Sequence, residues 1–244
     1  MLRTLLVKFF ISIIVPTKDE EGAIEDCLKS IKAQRTQYPF EVLVVDTNSK
    51  DKTLEIAKRH GARIIQESRP GKPIARNTGS LQAKGNILCF TEADCQVPET
   101  WVETIGQTFR DDPGVVALSG AYTLIKTTWF YRWLIRIFTP LSVYLFYIFF
   151  GYHSLRGTNL AVRKSAFNEV GGFNNDMLEL DDVDFGMRIK NLGRIRYLSA
   201  LSVRTLDRRF RNRLGRFLAE FTRSFYTVCI RRQAIKGSVY QDVR

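Results

Sequence analysis

The sequence predicts an α/β fold in which a mixed, mostly parallel sheet carries helices on both faces. Three observations carry that expectation. Short Val- and Ile-rich runs alternate with helical patterns between residues 11 and 118, as parallel strands joined by crossover helices require. Several of those runs end in a polar cluster, where an open α/β sheet binds its ligands. Apolar residues make up 45% of the 244-residue chain, ample for one large core.

Ile11–Val15 is the first strand, and Glu21–Gln34 is a helix whose Ile24, Leu28 and Ile31 share one face. Phe40–Val45 is a strand, Lys52–His60 a helix and Ala62–Gln66 a strand. Pro73–Ala83, Ile87–Phe90 and Pro98–Phe109 continue the alternation, and Val115–Leu118 closes it. The apolar stretch Leu5–Val15 follows Arg3, but Lys8 interrupts it and no small-residue cleavage site comes after. Its end reads as core strand and not as a signal peptide.

Three strand ends carry the polar residues: Pro16-Thr17-Lys18-Asp19-Glu20, Asp46-Thr47-Asn48-Ser49 and Glu92-Ala93-Asp94. In an extended segment, residues i and i+2 point to the same side. Glu92, Asp94 and Gln96 would then converge on one Mg²⁺ or Mn²⁺ ion through oxygen, leaving positions for water or a diphosphate. Taken alone, the same residues also fit an exposed polar turn after a core strand.

Cys27, Cys89, Cys95 and Cys229 are irregularly spaced and read as reduced thiols in a cytosolic compartment. With only His60 and His153, a zinc site or histidine triad lacks the residues to build it. The formal net charge of +12 is uneven: residues 1–128 carry 17 Lys and Arg against 16 Asp and Glu, residues 129–244 carry 20 against 9. Such asymmetry implies two surfaces with different partners, the basic one suited to nucleic acid, anionic lipid headgroups or a phosphorylated substrate.

Four regions follow: 1–128, the nearly neutral half; 129–152, a hydrophobic segment; 153–205, a second half of the fold; and 206–244, a basic helical end. Within Trp129–Tyr152, the run from Ile137 to Phe150 carries no charge but contains Pro140. A full crossing needs roughly twenty apolar residues, so a kinked or interfacial segment fits better, with a buried core helix as the alternative. In the last region Arg208, Arg209, Arg211, Arg213 and Arg216 interleave with Phe210, Leu214, Phe217 and Leu218. Stems and rings would bury in a membrane surface while the guanidinium groups meet phosphate.

In order and spacing, several blocks resemble the inverting glycosyltransferases of family 2, which have the GT-A fold. They are Ser12–Glu20, Val42–Thr53, Gly71–Gly79, the Glu-Ala-Asp element, Gly157-Thr158-Asn159-Leu160 and Asp181-Asp182-Val183-Asp184. The resemblance covers about residues 11–205. It implies that Pro16, Thr17, Glu20 and Asp46, with Lys18 and Asn48 beside them, line a nucleoside pocket. Lys72 or Arg76 would lie near the phosphates, with Glu92 and Ala93 against the nucleotide, and Glu92, Asp94 and Gln96 at the metal. Gln96 makes the polyprenyl-phosphate mannose synthases look closest within the family, which points to GDP-mannose.

The resemblance also implies a catalytic base at Asp182, with Asp181 or Asp184 as substitutes if the alignment slips. Asp181, Asp182, Arg156, Arg208 and Arg209 are the acceptor-side candidates. Three residues depart from the family pattern: Thr47 replaces a second Asp, Lys18 a frequent aromatic, and Glu92 the first Asp of the metal motif. The expected enzyme is membrane-associated, seated on the cytoplasmic face of the cell membrane, and moves sugar to a polyprenyl- or dolichyl-linked acceptor. Alternatives are transfer from a UDP-sugar to a glycan or soluble acceptor, a sugar-phosphate nucleotidyltransferase, and a basic nucleic-acid- or membrane-binding module. The nucleotidyltransferase lacks its Gly-rich phosphate loop after the first strand. Nucleic acid is disfavoured because acidic strand ends repel a phosphate backbone.

Overall fold

The strand runs are apolar at consecutive positions because both of their sides are covered. In β1 (Ile11–Thr17) the residues alternate between two cores. Ile11, Ile13 and Val15 join Ile24, Leu28 and Ile31 of α1 (Ile24–Lys32) and Trp101, Ile105 and Phe109 of α4 (Trp101–Asp111). Ile14 faces the other way, with Leu43 and Val45 of β2 (Phe40–Asp46) and Ala75 of α3 (Lys72–Gln82). Each fully buried Ile or Val contributes about 1.5–3 kcal/mol. A single strand thus ties together two helical layers.

The computed structural model describes residues 9–206, apart from 126, 130–132, 134–135, 137–142, 145 and 178–179. Part of the 129–152 segment, and Arg208 and Arg209 with the basic region from residue 207 on, lie outside the described residues. No helix among the described residues is long and apolar enough to cross a membrane. The remaining elements are α2 (Thr53–Arg59), β3 (Arg63–Gln66), β4 (Ile87–Phe90), β5 (Cys95–Gln96), β6 (Val115–Ile125) and β7 (Leu160–Arg163). They are completed by α5 (Lys164–Glu169), α6 (Asp181–Ile189) and β8 (Arg194–Leu206).

One sheet of eight strands runs β3-β2-β1-β4-β7-β6-β8-β5 among the described residues. Its first four members are parallel, as the alternating pattern predicts. Beyond β4 it becomes mixed, because β7 pairs antiparallel with both β4 and β6. Strands from residues 1–128 and 153–205 therefore interleave in a single sheet.

Element ends differ from the sequence expectation for local reasons. Helix α1 starts at Ile24 and not Glu21, because the backbone amides of Glu20 and Glu21 donate to Thr53 Oγ1 and an Asp51 carboxylate oxygen. Helix α4 starts at Trp101 and not Pro98; a turn bond from Trp101 N to Pro98 O precedes it. Strand β6 runs on to Ile125, seven residues past Leu118, because β8 pairs along it.

Candidate active site

The register brings the polar strand ends to one edge. Thr17 lies opposite Asp46, and Phe90 at the end of β4 lies opposite Leu160 at the start of β7. The loops after Thr17, Asp46 and Phe90, and the Arg156–Asn159 loop before β7, open on the same side.

The first two loops are knitted by short side chains. Asp46 is 2% exposed; its carboxylate accepts Thr17 Oγ1 at 3.3 Å, Ser49 N at 3.0 Å and the Ser49 hydroxyl. Thr47 bonds Thr17 O through its amide at 2.9 Å and its hydroxyl at 3.0 Å. Asp19 accepts Lys50 N at 2.7 Å, while its own amide donates to Ser49 Oγ at 2.9 Å. Asp19 and Asn48 adopt left-handed backbone, φ 52° and 62°, a conformation Asp and Asn tolerate better than most residues. Lys18 and Asn48 are exposed at the rim, Pro16 and Glu20 are half-buried, and Thr17 is buried.

Behind this edge, Glu67 receives both ends of the Arg69 guanidinium, at 2.8 and 2.9 Å, and the Thr78 hydroxyl at 2.6 Å. These donors, the Arg69 side chain foremost, hold its carboxyl down at about 2. Sequence reading passes over Glu67, since a lone glutamate after a short strand carries no motif.

Glu92-Ala93-Asp94 is a turn and not the extended segment expected. Cys95 N donates to Glu92 O at 3.0 Å, which reverses the chain after β4. Ala93 is buried, and Glu92 and Asp94 are each half-buried. Glu92 accepts Lys72 Nζ at 2.9 Å and Arg76 Nη2 at 3.4 Å. Gln96 donates to Asp26 at 3.2 Å, and with Asp26, Asp94, Gly22 and Ala23 it lines a shallow pocket.

Among the described residues, no cluster of three His, Cys, Asp or Glu side chains forms a closed metal cage. The donor set still fits a nucleotide-bridging cation, because Mg²⁺ is commonly held by one or two carboxylates while phosphates and water fill its other positions. Glu92 and Asp94 are the two carboxylates of that turn.

Arg76 sits at the centre of the edge, 2% exposed. It donates to Asp181 at 2.5 Å, lies over the Phe173 ring at 5.3 Å, and packs against Gly157. A Cβ at position 157 would stand 2.1 Å from Arg76 Nη2, so any side chain there would push the guanidinium out of its place. Burial, the largest single influence, pulls the Arg76 pKa down, but the negative charges of Asp181, Glu92 and Asp182 together outweigh it and raise the pKa above its ordinary value.

Helix α6 starts with Asp181 and Asp182. Leu180, in left-handed backbone (φ 54°), makes the entry, and its carbonyl accepts Val183 N and Asp184 N. Asp182 accepts Gly157 N at 3.1 Å. Burial, then the charge of Asp181, pushes its carboxyl up to about 6, against the lowering effects of Arg76, the Gly157 amide and Arg156. The residue nevertheless keeps some solvent-facing surface, so it is both perturbed and reachable. Asp184 is held by Arg188 at 2.7 and 2.9 Å one helical turn on.

The helix is fixed from below by Phe185, Phe167, Phe173 and Phe90, whose ring centroids lie 4.7–5.8 Å apart in successive pairs. Asn159 is structural: buried, it accepts Trp101 Nε1 and donates to the carbonyls of Ala121 and Leu201. Arg156 lies over the Tyr122 ring at 5.0 Å, on the same loop as Gly157.

The chain matches the family described as Glycosyl transferase family 2 over residues 12–171. Glycosyltransferase AglE of Haloferax volcanii is 38% identical over 103 residues, 38% of this chain and 33% of that protein. Mannosyltransferase PcManGT from Pyrobaculum calidifontis, solved in complex with GDP-Man and Mn²⁺, superposes with a TM-score of 0.69 at 22% identity. That superposition covers 93% of this chain and 65% of the other. S. aureus TarS 1-349 in complex with UDP-GlcNAc gives 0.64 at 22% identity, over 81% and 58% of the two chains. At such identities the likeness establishes a shared fold, consistent with the GT-A architecture. The chain spans 33% and 49% of the length of two curated relatives it matches.

Proposed function

The chain belongs to glycosyl transferase family 2, and on that premise we propose that it moves a sugar, with inversion, from a nucleoside-diphosphate sugar to a hydroxyl or phosphate oxygen of a lipid-linked acceptor. The observation that carries this reading is Asp182, a carboxylate with raised proton affinity that faces the same edge as Glu92 and Lys72. Ionised above about pH 6, it takes the proton as the acceptor oxygen attacks the anomeric carbon. The nucleoside diphosphate leaves from the opposite face.

Around that step the other residues bind and orient. Pro16, Thr17, Lys18, Glu20, Asp46 and Asn48 form the nucleoside side, and the backbone of Ala93 lies where the ribose and diphosphate pass. Lys72, exposed at the start of α3, turns from Glu92 to the diphosphate and offsets its charge. A divalent ion held by Glu92 and Asp94, with Gln96 beside them, would supply Lewis-acid stabilisation of the leaving group. Arg156 and Asp181 border the acceptor, and Arg208 and Arg209, which lie outside the described residues, are acceptor candidates by their charge alone.

Manganese and GDP-mannose are the proposed ion and donor, from the Gln96 resemblance and from the GDP-Man and Mn²⁺ held by the Pyrobaculum enzyme. A membrane-seated lipid acceptor is supported by charge and by surface. Residues 129–244 hold 20 Lys and Arg against 9 Asp and Glu, and Trp129 and Phe149 are each 75% exposed. Such aromatic and basic surfaces suit the cytoplasmic face of an anionic membrane.

A panel of radiolabelled GDP- and UDP-sugars, offered with extracted native lipids and Mn²⁺, tests the reading. The expected product is label from GDP-mannose in the lipid phase. Label passing only from a UDP-sugar to a soluble acceptor would replace both the donor and the acceptor proposed.

A further inference from the structure

The family resemblance implies that Lys72 or Arg76 lies near the donor phosphates, yet Arg76 is 2% exposed and its guanidinium is covered on its faces. One nitrogen is on Asp181 at 2.5 Å and another 3.4 Å from Glu92. The ring of Phe173 covers one side, and Gly157 packs against the same nitrogens. Among the described residues its buried Nε has no hydrogen-bond partner, a cost proteins seldom carry without return. The α3 backbone holds its root in place, with Ser80 Oγ donating to Arg76 O at 2.7 Å.

We propose that Arg76 is a positioning residue, a buried cation that pins Asp181 and ties the Glu92 turn to the start of α6, leaving Asp182 as the member of the acidic pair free to accept a proton. This inference rests on the reading of Asp182 as the base. Two adjacent carboxylates in one buried site repel, and without a cation they share a proton. The charged groups facing Asp182 are Asp181 from its own helix, Arg76 from α3 and Arg156 from the loop before β7. Arg156 and Arg76 both oppose the repulsion, and Arg76 binds Asp181 directly. Its second contact, to Glu92, sets the distance between the turn that faces the diphosphate and the helix that carries the base.

The sign of the effect is fixed. Arg76 lowers the proton affinity of Asp182, so its removal must move the acid limb of the rate profile to higher pH. Three variants of the full chain are compared: Arg76→Lys, Arg76→Gln and the double variant Arg76→Gln/Asp181→Asn. Nucleoside diphosphate affinity is measured calorimetrically beside kcat across pH 5–9. We expect Arg76→Gln to lose at least tenfold in kcat at pH 7, shift the limb upward, and hold nucleotide affinity within about threefold. Arg76→Lys should recover part of kcat, and the double variant should return the limb toward the parent, because a neutral pair no longer burdens Asp182.

Loss of nucleotide affinity in step with kcat, with the limb unmoved, would make Arg76 a phosphate ligand and overturn the inference. If Arg76→Gln fails to fold, the double variant decides: a folded protein with a parental limb supports the pairing, and an equally unfolded one overturns it. Asp182→Asn is run in parallel. Should that variant keep full turnover, the base assignment itself falls; should it be inactive while Arg76 variants leave the limb in place, only the role of Arg76 falls.

Discussion

At the ends of β1 and β2, the carboxylates of Asp19, Asp46 and Asp51 each accept backbone or hydroxyl hydrogens from loop neighbours. At the start of α6, Asp181 and Asp182 lie side by side against a buried guanidinium and four phenylalanines. The first arrangement answers each carboxylate with short hydrogen bonds from the loops themselves, which ties those loops together. The second concentrates charge where solvent is scarce, and one carboxylate is left with a proton affinity suited to chemistry near neutrality. Short side chains hold the first edge, and long-range packing creates the second.

The sharpest way to break that comparison is Asp182→Asn. A general base contributes about 10²–10⁴-fold, so kcat should fall by that factor while nucleoside diphosphate binding, followed by calorimetry, stays at the parental level. Stability should move the other way. A carboxyl whose folded pKa is raised to about 6 from 3.8 stabilises the fold fully below 3.8 and loses that contribution as pH rises through about 6. Thermal unfolding at pH 7.5 should therefore show Asp182→Asn more stable than the parent, with the gain gone at pH 3.5.

Removing the packing beneath the acidic pair comes next. Phe185 is fully buried against Phe167 and Phe173, and Phe185→Ala should cost about 3–5 kcal/mol in urea unfolding. A midpoint indistinguishable from the parent would show that α6 is not fixed by those rings.

On the other edge, Asp46→Ala strands the Ser49 amide and the Thr17 and Ser49 hydroxyls that Asp46 accepts. About 1–3 kcal/mol should be lost, and nucleotide affinity should weaken without change in the pH profile of turnover. A shifted profile would mean that the two edges are electrostatically joined.

The mildest test is acid titration of Glu67. Its carboxyl is held at about 2 against a usual 4.5, so its stabilising contribution is complete above 4.5 and disappears as pH falls toward 2. Glu67→Gln should flatten the acid limb of a stability curve in that window and leave activity at pH 7 near the parental value.

The parallel half of the sheet is legible because strands buried on both faces write themselves as unbroken Val and Ile runs, as in Ile11–Val15 and Val42–Val45. The polar edge is legible for a related reason: Thr17, Asp46 and the Glu92 turn follow directly on those runs. The antiparallel insertion of β7 between β4 and β6 is not, since Leu160–Arg163 is four residues long and its partners lie far off in the chain. The turn at Glu92–Asp94 reads as extended in the sequence because period-two spacing of acids suits both a strand and a tight reversal.

The sequence by itself determined the α/β class and the order of the polar loops, because these follow from local periodicity and residue spacing; the family rests on the match over residues 12–171. Which acid is perturbed, and what its neighbours do to it, was decided only by tertiary structure. Asp181 and Arg76 are 105 positions apart, and Asp182 meets Gly157 across 25. Proton affinity depends on burial and on charges within a few ångströms, and neither can be read along a line.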